Sequence, residues 1–191
     1  MRSKDLTKID VIFGASLRLI KKEGIAGITM AKIAREAGIA TGTLYIYFKN
    51  KEELINGLYN KLERTSSERF VRDLNPDQEF RICLKKVWLN YLKHRIEHHD
   101  ESIFLEQYYY SPYITMAQKK LAEEMKAPVY QLIKRGKSEG LLQQDSDIEM
   151  LFMAMIGFIR ALADEHVEGR YILNELRINK GFELNWNMIK E

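Results

Sequence analysis

The sequence predicts an all-α protein with a small N-terminal three-helix head and a larger C-terminal helical bundle. Three observations carry this. Apolar residues recur at spacings of three and four through most of the chain. Strand-like alternation is scarce. Only three prolines interrupt 191 residues.

Helix 1 is predicted from about Thr7 to Glu23, where Ile9, Ile12, Phe13, Leu17 and Ile20 share one face. Gly24 is expected to stop it as a left-handed cap. Thr29 caps a short helix 2, Met30 to Ala37, with Met30, Ile33, Ala34 and Ala37 inward. A short helix 3 follows from Thr41 to Phe48. Asn50 and Glu53 form a capping-box pattern that opens helix 4, about Lys51 to Arg72. Asn75-Pro76 with Gln78 opens helix 5 in the same way, since proline is tolerated at the first helical position. Ser111-Pro112 opens the next helix, which Gly140 ends and Pro128 is expected to kink or split. Ser146 with Glu149 caps the following helix, which carries Leu151, Phe152, Met155, Ile156, Ile159 and Leu162. The last helix carries Ile178, Phe182, Trp186 and Ile189. The turn at Asn75 to Asp77 is the expected boundary. It leaves a head over 5–65 and a body over 73–191.

Residues 29–48 hold a tight pair of short helices. Ala34 supplies the small side chain that a close crossing needs. Gly38 supplies the positive φ of a short turn. Leu44, with Phe48, anchors the second helix on the first. This spacing is that of a helix-turn-helix, whose second helix lies in a DNA major groove. The outward residues of helix 3 suit that role. Gly42 permits close backbone approach, and Thr41 and Thr43 can meet base edges, including the thymine methyl. Thr29, Tyr45 and Tyr47 suit phosphate oxygens, Lys51 brings a cation to the DNA backbone, and Lys49 is a further candidate. Tyr45 and Tyr47 lie two apart, so they cannot share a face and at least one points outward.

The stretch "GIATGTLYIYFKNKEEL", Gly38 to Leu54, closely resembles the tetracycline-repressor (TetR) family of bacterial transcription regulators. The preceding "FGASLRLIKKEGIAGITMAKIAREAG", Phe13 to Gly38, resembles the same family's first two helices. The resemblance covers about Asp5 to Leu62. It implies a phosphate contact at Thr29, and base or phosphate contacts at Thr41, Gly42 and Thr43. It also implies contacts to the DNA backbone at Tyr45, Tyr47 and Lys51. Ala40 stands where the family often has Ser, Thr41 where Lys is common, and Ile46 where an aromatic is frequent. These departures bear on which operator is read.

Charge agrees with a polyanion partner for the head alone. Residues 1–72 hold 14 Lys and Arg against 8 Asp and Glu, while residues 73–191 hold 16 against 19. The single cysteine, Cys83, excludes an internal disulfide and a Cys-rich zinc site, and fits a reducing cytoplasm. The opening residues show no secretory leader pattern. The longest apolar run, Met150 to Ile159, is too short for a bilayer span of about 20 residues. No catalytic constellation, phosphate-cradling loop or nucleophile elbow is present, so neither an enzyme nor a cofactor is expected. His94 and His98 are four apart, a spacing that can chelate a metal, with His99 next to them. "HRIEHHDES" reads as an exposed helix end and turn without a third ligand, so no metal is assigned.

The body carries two expectations. The helices over 146–166 and from about Glu175 look too apolar for a monomer surface. They are expected to pair across a twofold axis through Phe152, Ile156, Gly157, Ile159, Ile178, Phe182 and Trp186, with Gly181 also allowing close approach. An effector pocket for a small apolar or aromatic ligand is expected among Trp88, Tyr91, Phe104, Tyr108, Tyr109, Tyr113, Met116, Met153 and Phe158. The implied function is a homodimeric cytoplasmic regulator, a repressor released from a near-palindromic operator by that ligand. Helix 4 is the expected lever. The alternative is a DNA-binding protein of this fold controlled by a protein partner, without a small-molecule ligand.

Overall fold

The structure is a computed structural model that describes residues 6–191, with side chains from Thr7 onward. Position 5, where the head is predicted to open, lies outside the described residues. Among the described residues the fold is all-α, with nine helices and one isolated bridge between Leu142 and Lys190. The helices are α1 (Leu6–Gly27), α2 (Met30–Glu36), α3 (Thr41–Tyr47), α4 (Lys51–Phe70), α5 (Phe80–Glu97), α6 (His99–Tyr109), α7 (Met116–Ser138), α8 (Ile148–Val167) and α9 (Glu175–Ile189). The chain forms two compact units. One takes the chain up to Glu63 together with Asp100–Leu121; the other takes Arg64–His99 and Ala122–Glu191. The sequence reading assigned all of 73–191 to the body, so the inclusion of α6 in the first unit is new.

The first unit is built on the apolar faces read from sequence. Ile12, Phe13, Leu19 and Ile20 of α1 meet Ile33 and Ala34 of α2, Leu44 of α3, and Leu54, Ile55, Leu58 and Tyr59 of α4. Phe104 and Tyr108 of α6 complete this core. The Tyr108 hydroxyl lies against the Asn56 side-chain amide and donates its one proton to the Tyr113 carbonyl at 3.0 Å, which fixes the start of the α6–α7 connection. Gly24 has φ +71° as expected, but its ψ of 168° is extended. It therefore kinks the chain, and a last helical turn runs on to Gly27.

The second unit packs α5 against α8 and α9. Trp88, Val87 and Leu84 meet Met155, Ile159 and Phe182. The Trp88 indole N–H donates to Asn185 Oδ1 at 2.9 Å, so its one polar group is satisfied inside the core. Three helix starts differ from the sequence reading. Asn75 accepts from the Asp77 amide in a local turn, and α5 begins only at Phe80. A short polar side chain followed by proline serves a turn as readily as a cap. Thr115 and Gln118 form the capping pair of α7, in place of Ser111. Asp147 caps α8 by accepting from Met150, one residue after Ser146. Pro128 lies inside α7 without splitting it.

The helix end around His94 is not exposed. His94 is 4% exposed, between Ser66 and Arg69 of α4. Arg69 donates toward Nδ1 at 3.3 Å, which makes Nε2 the protonated nitrogen facing Ser66 Oγ at 3.1 Å. Burial, then the Arg69, His98 and Arg95 charges, pull its pKa down to about 3. The unfolded chain binds a proton near the ordinary value of about 6.5 while the folded chain refuses it. The contribution of His94 to stability is therefore whole above about pH 6.5 and is lost as pH falls toward 3. At about 1.4 kcal/mol per unit, the loss reaches roughly 2 kcal/mol at pH 5. Urea unfolding at pH 7 and pH 5 is expected to show this drop, and His94→Gln to flatten it.

Candidate nucleic-acid interface

The local geometry of residues 29–48 follows from a few side chains. Thr29 Oγ1 accepts from the Lys32 amide at 3.3 Å and starts α2. Gly38, at φ +67°, ends it. The Gly38 amide donates to the Arg35 carbonyl and the Ile39 amide to the Ala34 carbonyl. This paired reversal needs a residue that tolerates the left-handed region. Leu44 is fully buried against α1, α2 and α4 and sets the rotation of α3 about its axis.

That rotation decides which predicted contacts face outward. Thr29, Thr41, Gly42, Tyr45 and Lys49 are exposed, and Thr43 is half-buried. Tyr45 is 52% exposed, whereas Tyr47 is 8% exposed and belongs to the core of the first unit. The sequence offers both as phosphate contacts and requires only that one of them point outward. The two-residue offset turns Tyr47 onto the Leu44 side of the helix, so its first role is packing. Ile46, which the sequence reading did not select, is 72% exposed on the outward face. Arg35, exposed in the last turn of α2, was also missed.

Lys51 is the second correction. Its ammonium donates to the carbonyls of Ile25, Ala26 and Ile28 at 3.2, 3.4 and 3.1 Å. These three acceptors use the three N–H donors of a lysine. The side chain expected to reach DNA instead ties the α1–α2 corner to the start of α4. The same start is capped twice. The Glu53 amide donates to Asn50 Oδ1 at 2.8 Å, and Glu53 accepts from the Lys49 amide at 2.7 Å. Other head cations meet carboxylates: Arg18 with Glu36, Lys21 with Asp100 and Lys32 with Glu23. Two of these carboxylates are already counted in the charge of residues 1–72, so only the Lys21–Asp100 pair draws on the surplus read from sequence.

The residues expected in a ligand site do not share one environment. Trp88 and Tyr91 are core residues of the second unit, and Phe104 and Tyr108 of the first. Tyr91 also accepts from Arg160 at 3.1 Å. Tyr113, Met116 and Met153 are exposed, while Tyr109 and Phe158 are half-buried. The expected dimer residues divide as well. Ile156, Ile159 and Phe182 lie in the core of their own unit, with Phe152, Ile178 and Trp186 packed on its edge. Gly181 is closed by its own chain, because a Cβ there meets Leu162 at 3.0 Å and Trp88 at 3.5 Å. Only Gly157 is exposed. A helix buried by its own chain on one face and apolar on the other gives no sequence signal of which face is which.

His94 and His99 each have their own partners, and the His98 ring lies beside that of His94 with centroids 5.3 Å apart. Both ring nitrogens of His94 face Ser66 and Arg69, and the guanidinium would repel a cation there. His99 Nε2 lies 3.2 Å from Asp164 Oδ1, and Arg95 pairs with both oxygens of that carboxylate at 2.9 Å. Among the described residues no three metal-ligating side chains converge, and no helix is long and apolar enough to cross a membrane.

An exposed helix of seven residues, held by a glycine turn and an apolar anchor on a three-helix core, defines a helix-turn-helix DNA-binding module. Comparison with known proteins places the whole chain. Residues 12–58 match the model of bacterial regulatory proteins of the tetR family, and residues 81–190 match a tetracycline-repressor-like C-terminal domain. The chain belongs to the TetR family, a family of transcriptional regulators and not of enzymes. An uncharacterized helix-turn-helix regulator of Haemophilus influenzae is 32% identical over 90 residues, 47% of this chain and 48% of that protein. The match thus spans about half the length of that relative. A TetR-family regulator from Marinobacter aquaeolei VT8 superposes with a TM-score of 0.90 at 21% identity over the full length of both chains. A TetR-family regulator from Haemophilus influenzae gives 0.83 at 25% identity, also over both full lengths.

Proposed function

We propose that the protein is a sequence-specific repressor that binds a near-palindromic operator as a homodimer and is released by a small apolar ligand. The observation that carries the DNA-binding part is the outward face of α3. Burial of Leu44 and Tyr47 leaves Thr41, Gly42 and Tyr45 directed away from the core, with Thr29 and Lys49 beside them as exposed polar groups. Two such helices, about 34–36 Å apart, fit successive major grooves on one side of a duplex. Fluorescence anisotropy on a duplex enriched from random sequence tests it. Tyr45→Ala is expected to weaken binding about ten-fold without changing the melting temperature, since the ring is half in water. Equal affinity of the two proteins would remove Tyr45 from the interface.

The dimer reading rests on exposed apolar side chains rather than the buried ones chosen from sequence. Met150, Met153 and Gly157 of α8 and Leu184 and Met188 of α9 are exposed, Met153 and Leu184 each at 63%. A Cβ on Gly157 meets nothing within 4 Å, so its own fold does not require a glycine there. Close approach by a second α8 gives it a reason. Light scattering at micromolar concentration is expected to show a dimer, and Met153→Glu with Gly157→Leu a folded monomer. A wild-type monomer would end this reading.

For the ligand, a fold neighbour offers a class to try. FadR of Bacillus subtilis, solved with stearoyl-CoA, superposes with a TM-score of 0.70 at 20% identity, over 92% of this chain and 96% of its own. Long-chain acyl and aromatic compounds are therefore the first panel. A ligand acts only if it binds the operator-competent and incompetent states unequally. The burial of Trp88, Tyr91, Phe104 and Tyr108 among their own neighbours favours a second reading, control by a protein partner without a small ligand. Compounds that bind yet leave operator affinity unchanged would select it.

A further inference from the structure

Ile46 is 72% exposed on a short helix whose other aliphatic anchor, Leu44, is fully buried. A lone exposed isoleucine needs no partner. A second observation lies one helical turn away. Gly42 is the i−4 neighbour of Ile46, on the same face. Side chains in a helix lean toward its N-terminus, so Ile46 leans toward position 42 without filling it: none of its side-chain atoms lies within 4 Å of a Cβ placed there. Among the described residues, its own helix backbone aside, a Cβ built on Gly42 meets nothing within 4 Å, and its φ is outside the left-handed range. Glycine weakens a helix relative to alanine, and neither crowding nor backbone conformation requires it here. The two residues leave a notch with an apolar wall at Ile46 and bare backbone at Gly42.

We propose that the Gly42–Ile46 notch takes the 5-methyl group of a thymine in the major groove, which makes Ile46 a specificity-determining residue. The inference rests on the reading of α3 as a recognition helix. Base edges in the major groove present hydrogen-bond donors, acceptors and one apolar group, the thymine methyl. An isoleucine has no donor or acceptor to offer. Its favourable partner there is that methyl, which cytosine lacks at the same carbon. The missing side chain at Gly42 lets the base edge come near enough for contact.

The test uses the full-length protein and the duplex it enriches from a random-sequence pool. Each thymine is replaced in turn by deoxyuridine, which removes only the methyl group. At one thymine per half-site, wild type is expected to lose about four-fold in affinity, and about fifteen-fold when both half-sites are changed. Ile46→Ala is expected to lose less than about two-fold at the same thymine, with an unchanged melting temperature, because the contact is already gone. Ile46→Val is expected to keep part of the dependence. Wild type indifferent to every thymine methyl, or the same dependence in Ile46→Ala, would overturn the assignment. If no duplex is enriched, the recognition-helix reading fails with it. An enriched duplex without methyl dependence removes this inference alone.

Discussion

Arg95→Ala is expected to lower the unfolding free energy by about 3 kcal/mol, because it breaks a buried ion pair. The guanidinium is buried and bonds both oxygens of Asp164 at 2.9 Å. Truncation leaves a carboxylate, itself partly screened from water, with His99 as its remaining partner among the described residues. The lower end of the range applies because Asp164 keeps some solvent contact. A double change, Arg95→Met with Asp164→Leu, is expected to cost less than Arg95→Ala alone, since no unpaired charge remains. Urea unfolding of wild type, Arg95→Met, Asp164→Leu and the double variant gives the coupling. The Arg95 hydrogen bonds and charge, with His99, outweigh burial and hold the Asp164 carboxyl below the usual carboxylate range. Its contribution is therefore present above about pH 3.8 and fades as pH falls through the lower, folded value. If Arg95→Ala costs less than about 1 kcal/mol, the pair is not a structural link between α5 and α8.

Gly42→Leu is expected to have effects of opposite sign on stability and on DNA binding. Among the described residues, its own helix backbone aside, nothing lies within 4 Å of the added Cβ, and leucine favours a helix over glycine by up to about 1 kcal/mol. The melting temperature should hold or rise. On the DNA side, a branched side chain at the point of closest approach should cost about 3 kcal/mol, or roughly a hundred-fold in affinity. A variant that loses binding through misfolding would lose stability as well. The combination of a preserved melting point with lost binding therefore belongs to an interface residue alone. Unchanged binding would mean that α3 does not approach DNA at its N-terminal turn.

The parts of the fold legible in sequence are those set by short-range rules. Gly38 had to supply a positive φ, Thr29 had to cap, and Leu44 had to anchor. The first two constraints involve residues within a few positions of one another, and the third needs only the spacing of Leu44 from Ala34 within one helix pair. The failures are of a different kind. Lys51 finds three carbonyls some 25 residues earlier in the chain, which no local pattern announces. Tyr45 and Tyr47 are chemically alike, and only the rotation of α3 separates a surface ring from a core ring. Ile156, Ile159 and Phe182 are apolar enough for either a core or a subunit contact. The choice depends on which face of α8 its own chain covers. His94 looked like a helix end because His98 and His99 follow it, yet α4 buries it. Periodicity told where helices run and left open which neighbour each face meets.

The most direct test of the account is selection of duplex DNA from a random pool by the full-length protein at fixed salt, followed by footprinting of the enriched sequence. Two copies of the α3 face related by a twofold axis predict an inverted repeat. Its half-sites should be centred about one helical turn apart, near 34–36 Å, and binding should be lost when five base pairs are inserted between them. A folded protein that enriches no sequence, or one whose binding survives that insertion unchanged, would contradict the central claim.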